Sequence, residues 1–360
     1  MARALELAAR GLFTATPNPR VGCVLVRNGE TVAEGWHERA GEPHAELHAL
    51  RQAGAQARGA TAYVTLEPCA HHGRTPPCAD ALVEAGVARV VAAMEDPNPR
   101  VSGAGLARLR AAGLDVACGL LAGEAEELNV GFVSRMRRGR PWVRVKSAAS
   151  LDGRTALANG SSQWITGLDA RRDGHRWRAR SCAVLAGIGT LLHDDPRLTV
   201  RHVETARQPL RIVVDRNLDL PATARVLEGG NVLVFTALAR PDRTRQLRAR
   251  GAEVVEMGDA HGKVDLGAAM RELARREINE ILVESGNRLN GALLRARVVD
   301  ELLLYFAPQL LGDRARGMFD LGELTALEQR VELDVREMRT IGPDLYLRAR
   351  LRAGSHSTAC

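Results

Sequence analysis

Four side chains near the start of the chain have the types and spacing of a hydrolytic metal centre: His44 and Glu46 in His44-Ala45-Glu46, Cys69 after Pro68, and Cys78. One neutral imidazole and two thiolates hold a tetrahedral Zn²⁺ and leave its fourth position for water. A carboxylate two residues from the histidine reaches that water without being a ligand. Zinc lowers the pKa of such a water toward about 7, which makes hydroxide available near neutrality. Glu46 is then the catalytic residue, and His44, Cys69 and Cys78 are the metal ligands. Free thiols titrate too high to ligate unaided. Cys69 is expected at a helix start, as is His44, where backbone amides favour negative charge. A purely structural zinc site would show four protein ligands at short spacing. Three ligands and one carboxylate point to catalysis instead.

The pattern H-x-E…P-C-x-x-C belongs to nucleobase deaminases, in which the glutamate shuttles a proton to the ring nitrogen and then to the departing amine. One detail differs. The second cysteine follows the first by nine residues rather than three, and the inserted loop reads Ala70-His71-His72-Gly73-Arg74-Thr75-Pro76-Pro77. His71 and His72 are rival ligands in principle; substrate contacts or surface positions are the alternative. Cys23, Cys118, Cys182 and Cys360 have no partner spacing and read as packed or idle thiols.

The elements that must position these residues alternate. A helix is expected over Ala2–Gly11, then a strand pair across Asn28-Gly29, a helix over His44–Gln56 and a buried strand over Ala62–Leu66. A helix at Ala79–Ala85, a strand at Arg89–Met94, a helix at Leu106–Ala112 and a strand at Leu114–Cys118 follow. Strands spaced by helices imply a mostly parallel sheet with helices on both faces. The basic run Met136–Pro141, with Gly and Pro and no apolar period, reads as a linker. A second alternation begins at Trp142, with strands expected at Arg211–Asp215, Val232–Phe235, Glu253–Glu256, Ile281–Glu284 and Glu301–Phe306. Helices are expected at Asp169–Ala179, Thr244–Arg250, Leu266–Arg275 and Gly291–Ala296.

At 360 residues the chain fits two domains, and 45% hydrophobic with 26% charged residues describes a globular protein. No apolar run is long enough for a spanning helix, and the N-terminus lacks the apolar core of a signal peptide. Six cysteines form no disulfide framework, so a cytoplasmic location is expected. The net charge of +7 raises the question of nucleic acid. Basic residues are interspersed with acidic ones and aromatics are only 3%, so no polynucleotide track is expected. Arginine supplies almost all the positive charge. The only lysines are Lys146 and Lys263, and a lysine kept among arginines suggests a need for a compact ammonium. On the strand after Trp142, Val143 and Val145 face one way and Arg144 and Lys146 the other, which takes Lys146 out of the core.

In the second half, Gly187-Ile188-Gly189 lacks the third glycine of a dinucleotide fingerprint, as does Gly103-Ala104-Gly105, so both read as tight turns. Glu284-Ser285-Gly286-Asn287-Arg288-Leu289-Asn290-Gly291 leaves a strand and enters a helix, a shape that presents amides to a phosphate or serves as an ordinary loop.

Taken together, Thr16–Cys23, Gly41–Glu46, Thr65–Cys78, Asp96–Pro99 and Val101–Gly103 resemble the bifunctional deaminase/reductase family of riboflavin biosynthesis. Lys146–Arg154, Ser162–Thr166, His193–Arg201, Val283–Gly286 and Gly291–Leu294 extend the resemblance through the second half. It implies an α/β protein with an N-terminal cytidine-deaminase-like three-layer domain at 1–138. A C-terminal dihydrofolate-reductase-like domain at 141–353 and a frayed tail at 354–360 complete it. The implied reactions are zinc-dependent deamination of a diaminopyrimidinone carrying a phosphoribosylamino group, then NADPH-dependent reduction of the ribosyl group of the aminouracil product to ribityl. Residues implied to contact NADPH are Ala148, Trp164, Thr190, Asp194 and the loop Gly286, Asn287, Arg288, Leu289, Asn290, Gly291 and Ala292. Residues implied to contact substrate are Asn18 and Arg74 in the first site, and Ser162, Arg178, Leu198, Arg201 and Glu284 in the second. Lys146 fits the same second pocket, beside the substrate phosphate or sugar. A homo-oligomer acting on small molecules, with neither nucleic acid nor membrane as partner, is expected. The rival reading is a monofunctional zinc nucleoside or tRNA deaminase with an accessory C-terminal domain.

Overall fold

The structure, a computed structural model, describes residues 1–70 and 77–352. His71, His72, Arg74 and the expected tail at 354–360 lie outside the described residues. The chain divides into two compact units, Met1–Arg140 and Pro141–Cys360.

The first unit contains β1 (Gly22–Arg27), β2 (Glu30–Trp36), β3 (Thr61–Val64), β4 (Arg89–Ala92) and β5 (Asp115–Cys118). Its helices are α1 (Ala2–Arg10), α2 (Ala45–Ala53), α3 (Cys78–Glu84), α4 (Ala104–Ala111), α5 (Ala122–Leu128) and α6 (Val130–Arg138). The sheet order is β2-β1-β3-β4-β5. β1 is antiparallel to both its neighbours, while β3, β4 and β5 run parallel. The β1–β2 hairpin turns at Asn28 and Gly29, both with positive φ, as a two-residue loop that follows strand twist requires. Along β1 the alternation of side chains splits the core. Cys23 and Leu25 join α2 and α3 residues in the larger cluster, whereas Val24 meets Ala4 and Leu7 of α1.

The second unit holds β6 (Trp142–Ser150), β7 (Arg154–Ala156), β8 (Ala183–Gly187), β9 (Leu210–Val214), β10 (Val232–Thr236) and β11 (Ala252–Glu256). It continues with β12 (Glu280–Val283), β13 (Glu301–Ala307), β14 (Arg316–Gly317), β15 (Leu333–Ile341) and β16 (Asp344–Leu351). The helices are α7 (Leu168–Arg180), α8 (Ile188–Asp194), α9 (Pro241–Ala249), α10 (Leu266–Arg275) and α11 (Asn287–Arg295). Nine strands form one sheet in the order β11-β10-β9-β8-β12-β6-β13-β16-β15. The first seven are parallel, and β16 and β15 add an antiparallel edge. Both faces are covered: Val184 and Leu282 enter one core, Leu185 and Ile281 the other. That accounts for the near-continuous apolar runs of these strands. No helix among the described residues is long and apolar enough to cross a membrane.

Three local expectations need correction. The expected linker at Met136–Pro141 is largely the end of α6, whose last turn carries Arg135, Arg137 and Arg138 and is capped by left-handed Gly139. Basic residues there complement the carbonyl end of the helix. α11 begins at Asn287, not Gly291, with Gly286 as its N-cap. The β15–β16 hairpin was not anticipated, because the edge strand β15 carries charged residues at Asp334, Arg336, Glu337 and Arg339, a pattern that hides strand periodicity but suits an edge.

Candidate active sites

In the first unit the three expected ligands come from separate elements. His44 is the N-cap residue of α2, Cys69 lies in the loop after β3, and Cys78 is the first residue of α3. Their donor atoms all lie within 4.8 Å of one another, the one such metal-competent cluster among the described residues. His44 Nδ1 is 3.2 Å from Cys78 Sγ and 3.7 Å from Cys69 Sγ. The helix start expected at Cys69 belongs to Cys78 instead. The helix still serves Cys69, because the Cys78 amide donates to its sulfur at 3.3 Å.

The protonation chemistry suits a cation. Hydrogen bonding from Cys78, then from His44 and the Cys78 amide, pulls the Cys69 thiol down to about 4 against the opposing effect of burial. Its partner Cys78 is pushed up by the same shared hydrogen bond and by burial. The pair therefore carries one negative charge by itself, and a divalent ion is what makes two thiolates stable together. Glu46, on the first turn of α2, is 3% exposed and its Oε2 has no hydrogen-bond partner among the described residues. Burial pushes its carboxyl up. A buried carboxyl with an open oxygen beside a metal-competent cluster is poised for proton transfer.

Asn18 reaches the same neighbourhood through His37, which the sequence reading did not single out. The Asn18 amide nitrogen donates to His37 Nε2 at 3.0 Å, so His37 Nδ1 is left to donate to the Pro43 carbonyl at 3.1 Å. The His37 ring stands edge-on to His44, 5.5 Å between centroids. This chain fixes the Asn18 amide, whose oxygen accepts no hydrogen bond among the described residues and can take a donor on a ligand.

Glu67 was also unforeseen as a site residue. Its buried carboxylate accepts the amides of Asp96 at 3.0 Å, Gly103 at 2.9 Å, Gly105 at 2.8 Å and Leu106 at 3.2 Å. It thus caps α4 from a distance and ties that helix to the strand end just before Pro68-Cys69. Gly105 allows the approach: a Cβ there would sit 1.9 Å from the Pro68 carbonyl oxygen. Only the fold brings these residues together, so no local motif announces them.

In the second unit a cleft of about 1390 Å³ opens at the carboxyl ends of the parallel strands, where open α/β sheets bind ligands. Lys146, Ala148, Ser162, Thr190, Asp194, Glu284, Gly286, Asn287, Arg288, Leu289 and Ala292 line it. At one end Arg178 clamps Glu284 with Nε at 2.5 Å and Nη2 at 2.9 Å, and its Nη1 donates to the Thr199 carbonyl at 2.8 Å. Arg201 Nη1 meets the Thr199 hydroxyl at 3.3 Å, and Leu198 is buried with φ +54. The substrate residues carried over from the resemblance, Arg178, Leu198, Arg201 and Glu284, are therefore neighbours. Burial alone would raise the Glu284 carboxyl, but Arg178 and then Lys146 outweigh it and hold it at about 2. Burial pushes the Lys146 ammonium down, with Glu284 opposing. Its Nζ is 5.5 Å from the Tyr305 ring.

Trp164, Asn290 and Gly291, expected among the cofactor contacts, do not line the cleft. Trp164 is 67% exposed, with the Arg171 guanidinium 4.3 Å from its ring. Asn290 is buried, donates from its side chain to the Ser285 and Met318 carbonyls, and its amide already bonds to Gly286 O. Gly291 packs against Asp320, whose carbonyl oxygen would be 1.8 Å from an added Cβ. The early start of α11 explains this. The unsatisfied amides of a helix belong to its first turn, here Asn287 to Leu289, and the residues after them are inside the helix.

The profile of the cytidine and deoxycytidylate deaminase zinc-binding region matches residues 1–94, and that of the RibD C-terminal domain matches residues 141–347. The riboflavin biosynthesis protein RibD of Escherichia coli is 52% identical, covering 96% of this chain and 97% of its own. Its counterpart in Haemophilus influenzae is 47% identical over 96% and 95%. Among solved structures, Acinetobacter baumannii RibD superimposes with TM-score 0.92 at 44% identity, covering 98% of both chains. A Thermotoga maritima diaminohydroxyphosphoribosylaminopyrimidine deaminase/5-amino-6-(5-phosphoribosylamino)uracil reductase does so with TM-score 0.86 at 35% identity, covering 98% of this chain and 97% of its own.

Proposed function

The chain belongs to the RibD family of riboflavin-biosynthesis proteins, a deaminase followed by a reductase, and from that premise we propose the substrates, cofactor and residue roles of its two sites. The first unit hydrolyses the 2-amino group of 2,5-diamino-6-(5-phosphoribosylamino)pyrimidin-4(3H)-one. The second reduces the ribosyl group of 5-amino-6-(5-phosphoribosylamino)uracil to ribityl with NADPH. The reading rests above all on the juxtaposition of His44, Cys69 and Cys78 with the open oxygen of buried Glu46.

Zinc bound by His44, Cys69 and Cys78 supplies Lewis acidity for hydrolysis near neutral pH. Glu46 would take one proton of the attacking water at its unpartnered oxygen and pass it to the ring nitrogen, then relay the proton of the hydroxyl left on the ring carbon to the amine, which leaves as ammonia. Asn18, oriented by His37, accepts from a pyrimidine N–H through its free oxygen. Arg74 is assigned to the substrate phosphate.

NADPH supplies the reducing equivalents in the second cleft. The first-turn amides of α11 at Asn287 to Leu289 hold its diphosphate. Ala148, Thr190, Asp194, Gly286, Arg288 and Ala292 line its path, and Trp164 serves it only if its exposed ring turns over the bound cofactor. Lys146 and the Arg178–Glu284 pair meet the sugar and phosphate of the substrate, with Ser162, Leu198 and Arg201 around them. A cytoplasmic homo-oligomer is the proposed state, and sedimentation of the purified chain reads the assembly.

A coupled assay tests the whole reading. The diaminopyrimidinone phosphoriboside is supplied with zinc, NADPH is added, and ammonia and NADPH absorbance are followed separately. One equivalent of ammonia should precede one of NADPH oxidised. Ammonia without NADPH oxidation would favour a monofunctional deaminase with an accessory domain.

A further inference from the structure

We propose that Asn129, at the junction of α5 and α6, is a positioning residue of the deaminase. It holds the connection that carries Asn18 and so sets where the Asn18 oxygen meets the pyrimidine. The inference rests on the reading of Asn18 as a contact of the pyrimidine edge and deepens it.

Asn18 lies between α1 and β1, beyond a single 3₁₀ turn at Gly11–Phe13. The connection supplies one turn of its own, from the Ala15 carbonyl to the Asn18 amide at 3.0 Å. A further hold on it comes from Asn129, 109 residues beyond Arg20. The Asn129 side-chain oxygen accepts the Arg20 amide at 2.8 Å, and its nitrogen donates to the Arg20 carbonyl at 2.9 Å. A side-chain amide thereby does for Arg20 what a residue on a neighbouring antiparallel strand would do, exchanging both bonds with one partner. Asn129 is 1% exposed and Arg20 5%, so water does not replace either bond.

The usual duty of this side chain is left undone. Asn129 is the N-cap residue of α6, where asparagine ordinarily accepts an amide of the first turn. Here it makes no side-chain cap bond and spends both its polar groups on Arg20. Its main chain is engaged as well: the amide bonds to the Ala125 and Glu126 carbonyls, and the carbonyl accepts the Val133 amide. The Arg20 guanidinium fastens the same junction, donating to the Leu128 carbonyl at 2.9 Å and the Leu12 carbonyl at 3.3 Å. Leu128 ends α5, where carbonyls lack helical partners and arginine is favoured.

From Arg20 the path to the site is short. Asn18 is two residues away, at most about 7 Å between Cα atoms. Val21, the next residue, accepts the His37 amide at 2.9 Å, and the Asn18 side chain bonds to the His37 ring at 3.0 Å. Asn18, Arg20, Val21 and His37 thus close a circuit of chain and hydrogen bonds, and Asn129 anchors it from outside. The His37 ring stands against His44, so slack in the circuit displaces the Asn18 oxygen relative to the ligand cluster. Asn129 lies beyond the 1–94 segment that matches the deaminase zinc-binding profile, which places part of this site's support in the helices that follow.

The test uses the full chain with zinc and the diaminopyrimidinone phosphoriboside, and reads kcat and KM for ammonia release. A contact made equally to substrate and transition state shows its loss in KM. Asn129→Ala should raise that KM about tenfold with kcat within about threefold. Asn129→Asp is isosteric and keeps the acceptor but loses the donor, so it should raise KM only about threefold. Zinc content, and NADPH oxidation on the deaminated substrate, should match wild type in both. Asn18→Ala should itself raise KM about tenfold, and adding Asn129→Ala should cost no more than about a further twofold, because the second change acts through the first. Losses that multiply to on the order of 10²-fold in the double variant, or an unchanged KM in both Asn129 variants, would overturn the positioning role and leave Asn18 a substrate contact. Zinc loss in both variants would make Asn129 a structural residue and overturn the role too. An unaltered KM in Asn18→Ala would overturn the reading of Asn18 and this role with it.

Discussion

Replacing Glu67 by Gln should loosen the cysteine loop of the deaminase without touching a metal ligand. The wild-type carboxylate accepts four amides, two on each oxygen: Asp96 and Gly103 on Oε2, Gly105 and Leu106 on Oε1. Glutamine keeps one oxygen and turns an NH₂ toward two N–H donors. Two charge-assisted hydrogen bonds are lost, each worth about 1.5–3 kcal/mol net. The variant should therefore lose about 3–6 kcal/mol, a large share of the roughly 5–15 kcal/mol that holds a domain together. Urea unfolding followed by zinc release into a chromogenic chelator reads the first unit, while NADPH oxidation on the deaminated substrate reads the second. The expected result is an earlier zinc-release transition with reductase activity intact. Gly105→Ala probes the same clamp differently, because it keeps the carboxylate but drives a Cβ against the Pro68 carbonyl. A Glu67→Gln transition within about 0.5 kcal/mol of wild type would refute the argument.

Glu46→Gln should keep its zinc yet release ammonia at least about 10²-fold more slowly; unchanged ammonia release sinks the proton-shuttle role. Lys146→Ala should cost the reductase about 2 kcal/mol, roughly thirtyfold in kcat/KM, with deamination untouched; equal NADPH oxidation rates would remove Lys146 from the substrate pocket. Chelating zinc should abolish ammonia release and leave NADPH oxidation on the deaminated product unaltered, as stopped assays of each half will show. Glu284 has a folded pKa of about 2 against an ordinary 4.5, so its stabilising contribution is complete above about 4.5 and fades as pH falls toward about 2. The stability gap between wild type and Glu284→Gln should narrow across that window, and a gap that widens on acidification contradicts the Arg178–Glu284 pairing.

The metal site was legible because its signal is local. His44 and Glu46 share one helical turn, and Pro68-Cys69 and Cys78 bound a single loop. The parallel strands were legible for another reason, since burial on both faces writes long apolar runs into the sequence. What escaped notice depends on distant partners. Nothing beside Glu67 in sequence reveals that it will meet amides at positions 96 to 106, and His37 gains its role only when folded against Asn18 and Pro43. The basic stretch before Arg140 read as a linker because arginines obscure helical periodicity, although a helix end favours them. Gly291, expected beside the cofactor, packs closely against Asp320, a contact that demands glycine equally well.

Alternation correctly turned Arg144 away from Val143, but toward a fully buried position, where it pairs with Glu280 and Glu301. Those partners lie 136 and 157 residues further along, on the strands that flank β6 on either side. The first strand of the reductase is thus an interior one, flanked by β12 and β13, and cannot be finished until nearly the whole chain has left the ribosome. Until Glu301 arrives, closing the sheet would bury a guanidinium with half its countercharge missing, a penalty of several kcal/mol. The deaminase has all its strands before Arg140 and is free to fold during that wait. A chain that stops short of Glu301 should not yield a trimmed reductase. It should yield a folded deaminase trailing an open, apolar strand set, which is prey for proteases and a seed for aggregation.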